Sequence, residues 1–470
     1  MALTDVKQIR QAAGLSLVDR LRAAVADGLS GEHATTQRMA GAAFAIRILS
    51  AGIVFGSQAL LARWIGSHQF GTYVYVWTWL LLVSDLVHLG LPLTAQRFVP
   101  EYTQADSTAL LRGYLGGSRW LTFGAGGAVG LIGAFAIYCV SDLIDPQLVL
   151  PFYFACAALP VYSVTFMADA LARSYNWINL ALLPAYVIRP LIFIAALAAL
   201  QFAGVALDAT IVMGVLVAAG WLSALPQMLQ LDRKLGTVVP AGRKSYEVRR
   251  WLGTALPIVF VWGLYTLLTS TDVLVLKQFR SPAEVAHYYA AAKTLALVSI
   301  IYFAVAATSA HRFTAFHVAG DRDGLEAFAA ATVRWIFWLS LALCLLIVAL
   351  GQPLLMLFGG DFVTAYPAMV ILAVGQLARA SVGPAERVLN VLGRQRACAF
   401  AYAAAFTVNI VACLVLAPAY GAVGAAIATA AAFVVESASL FVIAKRSLGL
   451  HMFIWNPRKG ARERAGRDGC

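Results

Sequence analysis

Six ionisable side chains lie deep inside stretches of sequence that are otherwise apolar: Arg47, Arg189, Lys293 and Arg379 against Asp85 and Glu436. A charge held away from water is costly, so such residues pair with one another, line water or mark a pathway. Arg47 shares a helical face with Ser50 and Gln58, because the step from 47 to 58 is about three full turns. On the next stretch Thr78, Asp85 and His88 form a similar stripe, and Asp85 falls at a depth close to that of Arg47, so a structural ion pair between them competes with a role in binding. Arg189 precedes Pro190 near the middle of its stretch, has no acid in its own helix, and is the best single candidate to touch a cargo. Farther on, Trp262, Tyr265, Thr269 and Asp272 line one face, Tyr289 and Lys293 stand one turn apart, and Gln376, Arg379, Gly383, Glu386 and Asn390 share a third face. Asp169, Asp272 and Glu386 sit close to helix ends, which leaves a modest excess of bases at depth. Such an excess suits a phosphate or a sugar acid, whose oxygens a guanidinium binds in pairs. Arg47, Arg189, Lys293 and Arg379 are therefore the candidate cargo-binding residues, and Asp85, Asp272 and Glu436 the candidates for ion coupling or structural pairing.

The elements that must position these residues follow from hydropathy. The chain has 470 residues, 61% hydrophobic and only 12% charged, against roughly 25% charge in a soluble domain. Apolar stretches of roughly 20 residues, enough to cross about 30 Å of hydrocarbon, follow one another from Met39 almost to Lys445. They predict an all-α polytopic membrane protein with about twelve spans, near residues 39–64, 70–94, 119–140, 149–173, 177–201 and 208–230, then 251–276, 284–309, 332–356, 363–387, 397–417 and 421–444. Residues 1–38 form an N-terminal segment in which Leu15 to Val25 reads as an amphipathic surface helix. Residues 39–230 form the first six-helix half, 231–250 a basic linker, 251–444 the second half, and 445–470 a basic tail. Repeats of an even number of spans keep the same topology, so the two halves are expected to face each other across a central cavity.

The net charge of +12 raises the question of nucleic acid, and the placement of the bases answers it. About 28 of the 35 Lys and Arg fall in the N-terminal segment, alternate loops and the tail, whereas the opposite face has Arg63, Lys277 and Arg280. That asymmetry predicts a multi-pass inner-membrane protein with both termini in the cytoplasm and no nucleic-acid partner. No apolar core of a signal peptide precedes Met39. The six cysteines show no metal or redox spacing, although Cys139 and Cys156 flank one outer loop. Phosphate-loop, dinucleotide and HExxH patterns are absent, and His68 and His287 have no carboxylate cluster, so neither enzyme activity, metal nor cofactor is expected. The third span has Gly124, Gly126, Gly127, Gly130 and Gly133, small residues that let helices approach closely.

Three stretches carry a resemblance: LLARWIGSHQFGTYVYVWTWLLLVSDLVHLGLPLTAQRFVPEY from Leu60 to Tyr102, FGGDFVTAYPAMVILAVGQLARASVGPAERVLNVLGRQR from Phe358, and Asn409 followed by LAPAYGAVGAAIAT from Leu416. With them the chain, from about residue 39 to 445, resembles the polysaccharide-transport family of lipid-linked oligosaccharide flippases within the multidrug/oligosaccharidyl-lipid/polysaccharide exporter superfamily. The resemblance implies a MATE-like fold and the movement of undecaprenyl-diphosphate-linked sugar units to the periplasmic leaflet for surface polysaccharide assembly. It also implies membrane lipids, a polysaccharide polymerase and a chain-length regulator as partners. Lys293, in YYAAAKT, sits where the family pattern often has a base. The alternatives are a cation-coupled multidrug antiporter of the same fold, using Asp85 or Glu436, and a non-transporting assembly partner of a polymerase.

Overall fold

The computed structural model describes residues 32–455 apart from 303, 304, 306–308, 310, 311, 314, 315, 317 and 318, so the helix expected at Leu15 to Val25 lies outside the described residues. Among the described residues every regular element is helical, which satisfies the backbone where water is absent. The first half consists of α1 (Glu32–Val87), α2 (Leu91–Gln104), α3 (Thr108–Cys139), α4 (Pro146–Ser174), α5 (Ile178–Leu183), α6 (Arg189–Phe202) and α7 (Ala209–Val238). The second consists of α8 (Val248–Leu268), α9 (Thr271–Phe279), α10 (Pro282–Ala296), α11 (Arg322–Ala349), α12 (Gly351–Met356), α13 (Tyr366–Ser381), α14 (Ala385–Val391) and α15 (Gln395–Leu448). Nine helices among the described residues are long and apolar enough to cross a membrane. Two of these are broken at a glycine in the left-handed region, Gly66 (φ 75°) in α1 and Gly421 (φ 57°) in α15, so each supplies two crossings. With α10 starting one more, the expected set of about twelve spans is accounted for.

Several spans that hydropathy draws as continuous are interrupted along their length. The stretch expected at 251–276 is two helices, α8 and α9, separated at Thr269 and Ser270. Here the Thr269 and Thr271 hydroxyls donate to the carbonyls of Tyr265 and Leu267, which offers the backbone an alternative to the helix ladder. The stretch expected at 363–387 opens with a tight turn over Gly360–Ala365 and breaks again before α14, at Gly383 (φ 56°) and Pro384. Between α5 and α6 a single wide turn, Pro184–Ile188, sits between two prolines. Within the basic linker, helix runs to Val238 and resumes at Val248.

Core packing gives the molecule its polarity. One cluster mixes both halves, with Phe70 of α1 against Tyr289, Phe358 and Phe362 at ring separations of 6.1, 6.3 and 6.1 Å. A second holds Phe98, Tyr114 and Leu171 of the first half with Trp251 at the start of α8, and a third holds Val333, Leu389, Tyr402 and Leu440 of the second half. The first cluster thus spans both halves toward the face of the short turns, whereas toward the face of the linker the second takes in Trp251 and Ala255 of the second half and the third is confined to that half. At the turn face Gly71 lets α1 press on the Pro282 carbonyl, where a Cβ would have no room. At the linker face Arg250 bridges Glu101 of the first half and Glu247, and Tyr102 also donates to Glu247 at 2.9 Å. Hydrogen bonds from Arg250 and Tyr102 hold the Glu247 carboxyl below its usual range.

Of the glycines in α3, Gly126 and Gly130 face α4: a Cβ would lie 2.7 Å from Pro160 Cα and 2.5 Å from the Cys156 carbonyl oxygen, respectively. Gly124 and Gly127 face open space. Cys139 and Cys156 are both free thiols.

Candidate substrate cavity and buried charges

Where the broken spans meet, a cavity of about 220 Å³ opens between the halves. Trp77 and Thr78 come from α1, Tyr265 from α8, and Thr269, Ser270 and Asp272 from the α8–α9 break. Tyr289 and Lys293 come from α10, Gln376 and Arg379 from α13, and Thr429 and Phe433 from α15. Interrupted backbone at this depth is tolerated because it lines a cavity, and the freed helix ends and hydroxyls give the walls their polarity.

The wall carries Lys293, Arg379 and Asp272, with Glu436 reached through Arg379. Arg379 donates from Nη2 to Glu436 Oε1 at 3.1 Å, and its guanidinium lies 4.6 Å from the Phe433 ring centre. Glu436 is only 3% exposed, so its second oxygen, Oε2, is buried without a partner. Asp272 accepts from the Tyr288 hydroxyl, from Thr429 Oγ1 at 3.2 Å and from the Val273 N–H at 2.8 Å. Asn409 donates to Thr429 at 3.4 Å and extends the same network. Lys293, 4.9 Å from the Tyr289 ring centre, lies within electrostatic range of Asp272 without forming an ion pair. Two bases therefore stand beside two acids.

The first half is different. Arg47 lies 4.2 Å from the ring centre of Tyr186, and Arg189 lies 4.5 Å from that of Tyr162. Among the described residues neither makes an ion pair. Asp169 is the acid within electrostatic range of both, together with Arg173, and it accepts from Gln227 Nε2 at 2.6 Å. The Tyr162 hydroxyl, Ser163 Oγ and Arg173 Nε are buried nearby in sequence with no hydrogen-bond partner.

The Arg47–Asp85 ion pair weighed from sequence is not formed. Asp85 instead accepts from Thr266 of α8 at 2.9 Å, since its face of α1 packs on the second half while Arg47 turns to Tyr186 within the first. Asp272, Lys293 and Arg379 share the cavity, Glu436 joins through Arg379, and Arg47, Arg189 and Asp85 lie outside its wall. Sequence reasoning missed Trp77, Tyr288 and Thr429, uncharged residues that carry no spacing signal, and set Asp169 aside although it is 3% exposed. His68 bonds to Gln147 at 3.1 Å and His287 to Asp361 at 3.2 Å, and the described residues hold no group suited to a metal ion.

Residues 257–415 match the MatE family. No curated protein matches the chain by sequence. Among solved structures, an inward-facing multidrug resistance MATE family transporter of the MOP superfamily superposes with a TM-score of 0.72 at 13% identity, covering 85% of this chain and 94% of that one. The lipid II flippase MurJ in an inward closed conformation gives 0.67 at 12% identity over 86% and 87% of the two chains. A MOP superfamily transporter from Pyrococcus furiosus gives 0.60 at 13% identity over 86% and 95%. The chain has the fold these proteins share.

Proposed function

We propose that this chain is a flippase that carries undecaprenyl-diphosphate-linked oligosaccharides from the cytoplasmic to the periplasmic leaflet of the inner membrane by alternating access, for surface polysaccharide assembly. The observation that carries this reading is the pair of guanidinium groups in the first half, Arg47 and Arg189, each stacked on a tyrosine and free of an ion-pair carboxylate. Bases within a membrane that lack an ion-pair partner are expensive and are kept where they meet an anion. A diphosphate offers that anion while its polyprenyl tail stays in lipid. The cavity between the halves admits the head group, and opening of the core they share at the turn face would release it on the other side. Replacing Arg47 or Arg189 by Ala is expected to abolish surface polysaccharide while the protein still reaches the membrane; undiminished polysaccharide in both variants would overturn the assignment.

A cation-coupled multidrug antiporter is the second reading, favoured by the buried Asp272 on the cavity wall and by the fold shared with a multidrug transporter. Lys293 and Arg379 on the same wall oppose a cationic drug. A deletion strain that gains drug sensitivity and keeps its surface polysaccharide would favour antiport. Under the flippase reading a polysaccharide polymerase and a chain-length regulator act on the product after it crosses.

A further inference from the structure

After α15 the chain folds back onto the second half. Gly449, in the left-handed region (φ 68°), makes the turn, and a Cβ there would run into the Arg322 guanidinium at the start of α11. Leu450 and Met452 are then buried in the core that also holds Val382, Ala385, Val388 and Leu389, the residues around the break between α13 and α14. The rings of His451 and Phe453 lie 5.1 and 5.6 Å from that of Phe441 on α15. His451 donates from Nε2 to the Trp455 carbonyl at 2.9 Å, which closes the segment on itself.

One contact of this segment reaches the broken span directly. The Ile454 N–H donates to the Ser381 carbonyl at 3.0 Å. Ser381 is the last residue of α13, and in an unbroken helix its carbonyl would accept from the amide four residues on. The chain turns away at Gly383 and Pro384, and Ile454 supplies the donor instead. Two residues before Ser381 stands Arg379, which lines the cavity and pairs with Glu436 of α15. The segment leaves the end of α15 and fastens on the end of α13, so it ties together the two helices that carry this ion pair.

We propose that residues 449–455 are a positioning strap: by holding the break after α13 they fix the last turn of that helix, and with it the seat of Arg379 beside Glu436. The strap shapes the cavity without lining it, and this role is the same for any cargo. Its critical group is a backbone donor facing a backbone carbonyl, which every residue except proline can supply. Burial of Leu450 and Met452 seats the strap.

The test uses purified full-length protein and two readouts: hydrogen exchange of the amides from Ala385 to Val391, and modification of Arg379 by an arginine-selective dicarbonyl reagent, located by mass spectrometry. Ile454→Pro, which removes the donor, is expected to speed both by at least about threefold, the effect of losing one net hydrogen bond. Exchange in α3 and α4 of the first half should stay as in the wild type. Ile454→Val keeps the N–H and should match the wild type in both readouts. Met452→Ala, which unseats the strap by loss of burial, is expected to act in the same direction and carries the test if Ile454→Pro does not assemble. Wild-type rates in both Ile454→Pro and Met452→Ala would overturn the proposal. So would faster exchange with no change at Arg379, which would make the segment a packing element alone, or a rise shared equally by α3 and α4, which would be general loosening.

Discussion

Stacking a guanidinium on a tyrosine ring engages its flat face and leaves the N–H edge unspent. That is the situation of Arg47 over Tyr186 and Arg189 over Tyr162, and it explains why arginine serves at these positions. Lysine would keep the charge but lose the paired donors that match two phosphate oxygens. Arg189→Lys is therefore expected to lower the affinity for a polyprenyl diphosphate about tenfold, and Arg189→Ala further, since hydrogen bonds to charged groups contribute about 1.5–3 kcal/mol. Titration of the purified variants with the fluorescent lipid checks both values. Arg379 is expected to behave otherwise. Its loss would leave Glu436, 3% exposed, without a counter-charge, which costs about 3–5 kcal/mol in a buried pair. Arg379→Ala should accordingly lower the melting temperature of the detergent-solubilised protein, and Arg379→Leu combined with Glu436→Leu should restore most of it. Sequence placed all four deep bases inside spans. It did not separate the unpaired ones from Arg379, which pairs with Glu436, because depth along a helix gives height in the membrane and not the direction a side chain faces. Arg47 and Asp85 share a depth and point to different neighbours for that reason.

At the scale of the helices, close approach is decided by a few glycines. Gly130→Leu should drive α3 from α4, where even a Cβ would lie 2.5 Å from the Cys156 carbonyl oxygen, and overpacking of this kind costs about 1–3 kcal/mol. Gly124→Leu, on the open side of the same helix, should leave the melting temperature unchanged. A fall in both variants would show that helix propensity or lipid contact controls stability here, and not the α3–α4 seam. The glycine run and the number of spans were legible in the sequence, since hydropathy and small-residue spacing are local signals. The breaks at Thr269–Ser270 and at Gly383–Pro384 were not, because hydropathy runs unbroken through both positions. The first of these breaks lines the cavity, so the residues facing it were recoverable only once the helices were assembled. Asp272 illustrates the point: its sequence position suggests a helix end near the surface, whereas the break puts that end at the cavity wall, 5% exposed.

For the whole molecule, the halves share a core at the turn face and are also bridged at the linker face, where Trp251 packs into the first-half core and Arg250 joins Glu101. In a cysteine-free background, a single cysteine at Ser299 on the cavity wall should react with a membrane-impermeant thiol reagent supplied from the linker face, while one at Phe70 in the shared core should not. Transport then requires the shared core to part, and Gly71→Ala, which crowds the Pro282 carbonyl, should weaken the closed turn face and raise labelling at Phe70→Cys. The energy source need not be chemical: a negative cell interior favours outward movement of an anionic cargo by about 2.3 kcal/mol per charge per 100 mV. The most direct measurement is translocation of a fluorescent undecaprenyl-diphosphate oligosaccharide by the purified chain in liposomes, with and without an imposed potential. Rapid flipping by the wild-type protein, faster when the potential drives the anion across, and its loss in the Arg47→Ala, Arg189→Ala double variant is the expected result. Flipping no faster than in protein-free liposomes, or an undiminished rate in the double variant, would contradict the assignment of these two arginines to an anionic lipid-linked cargo.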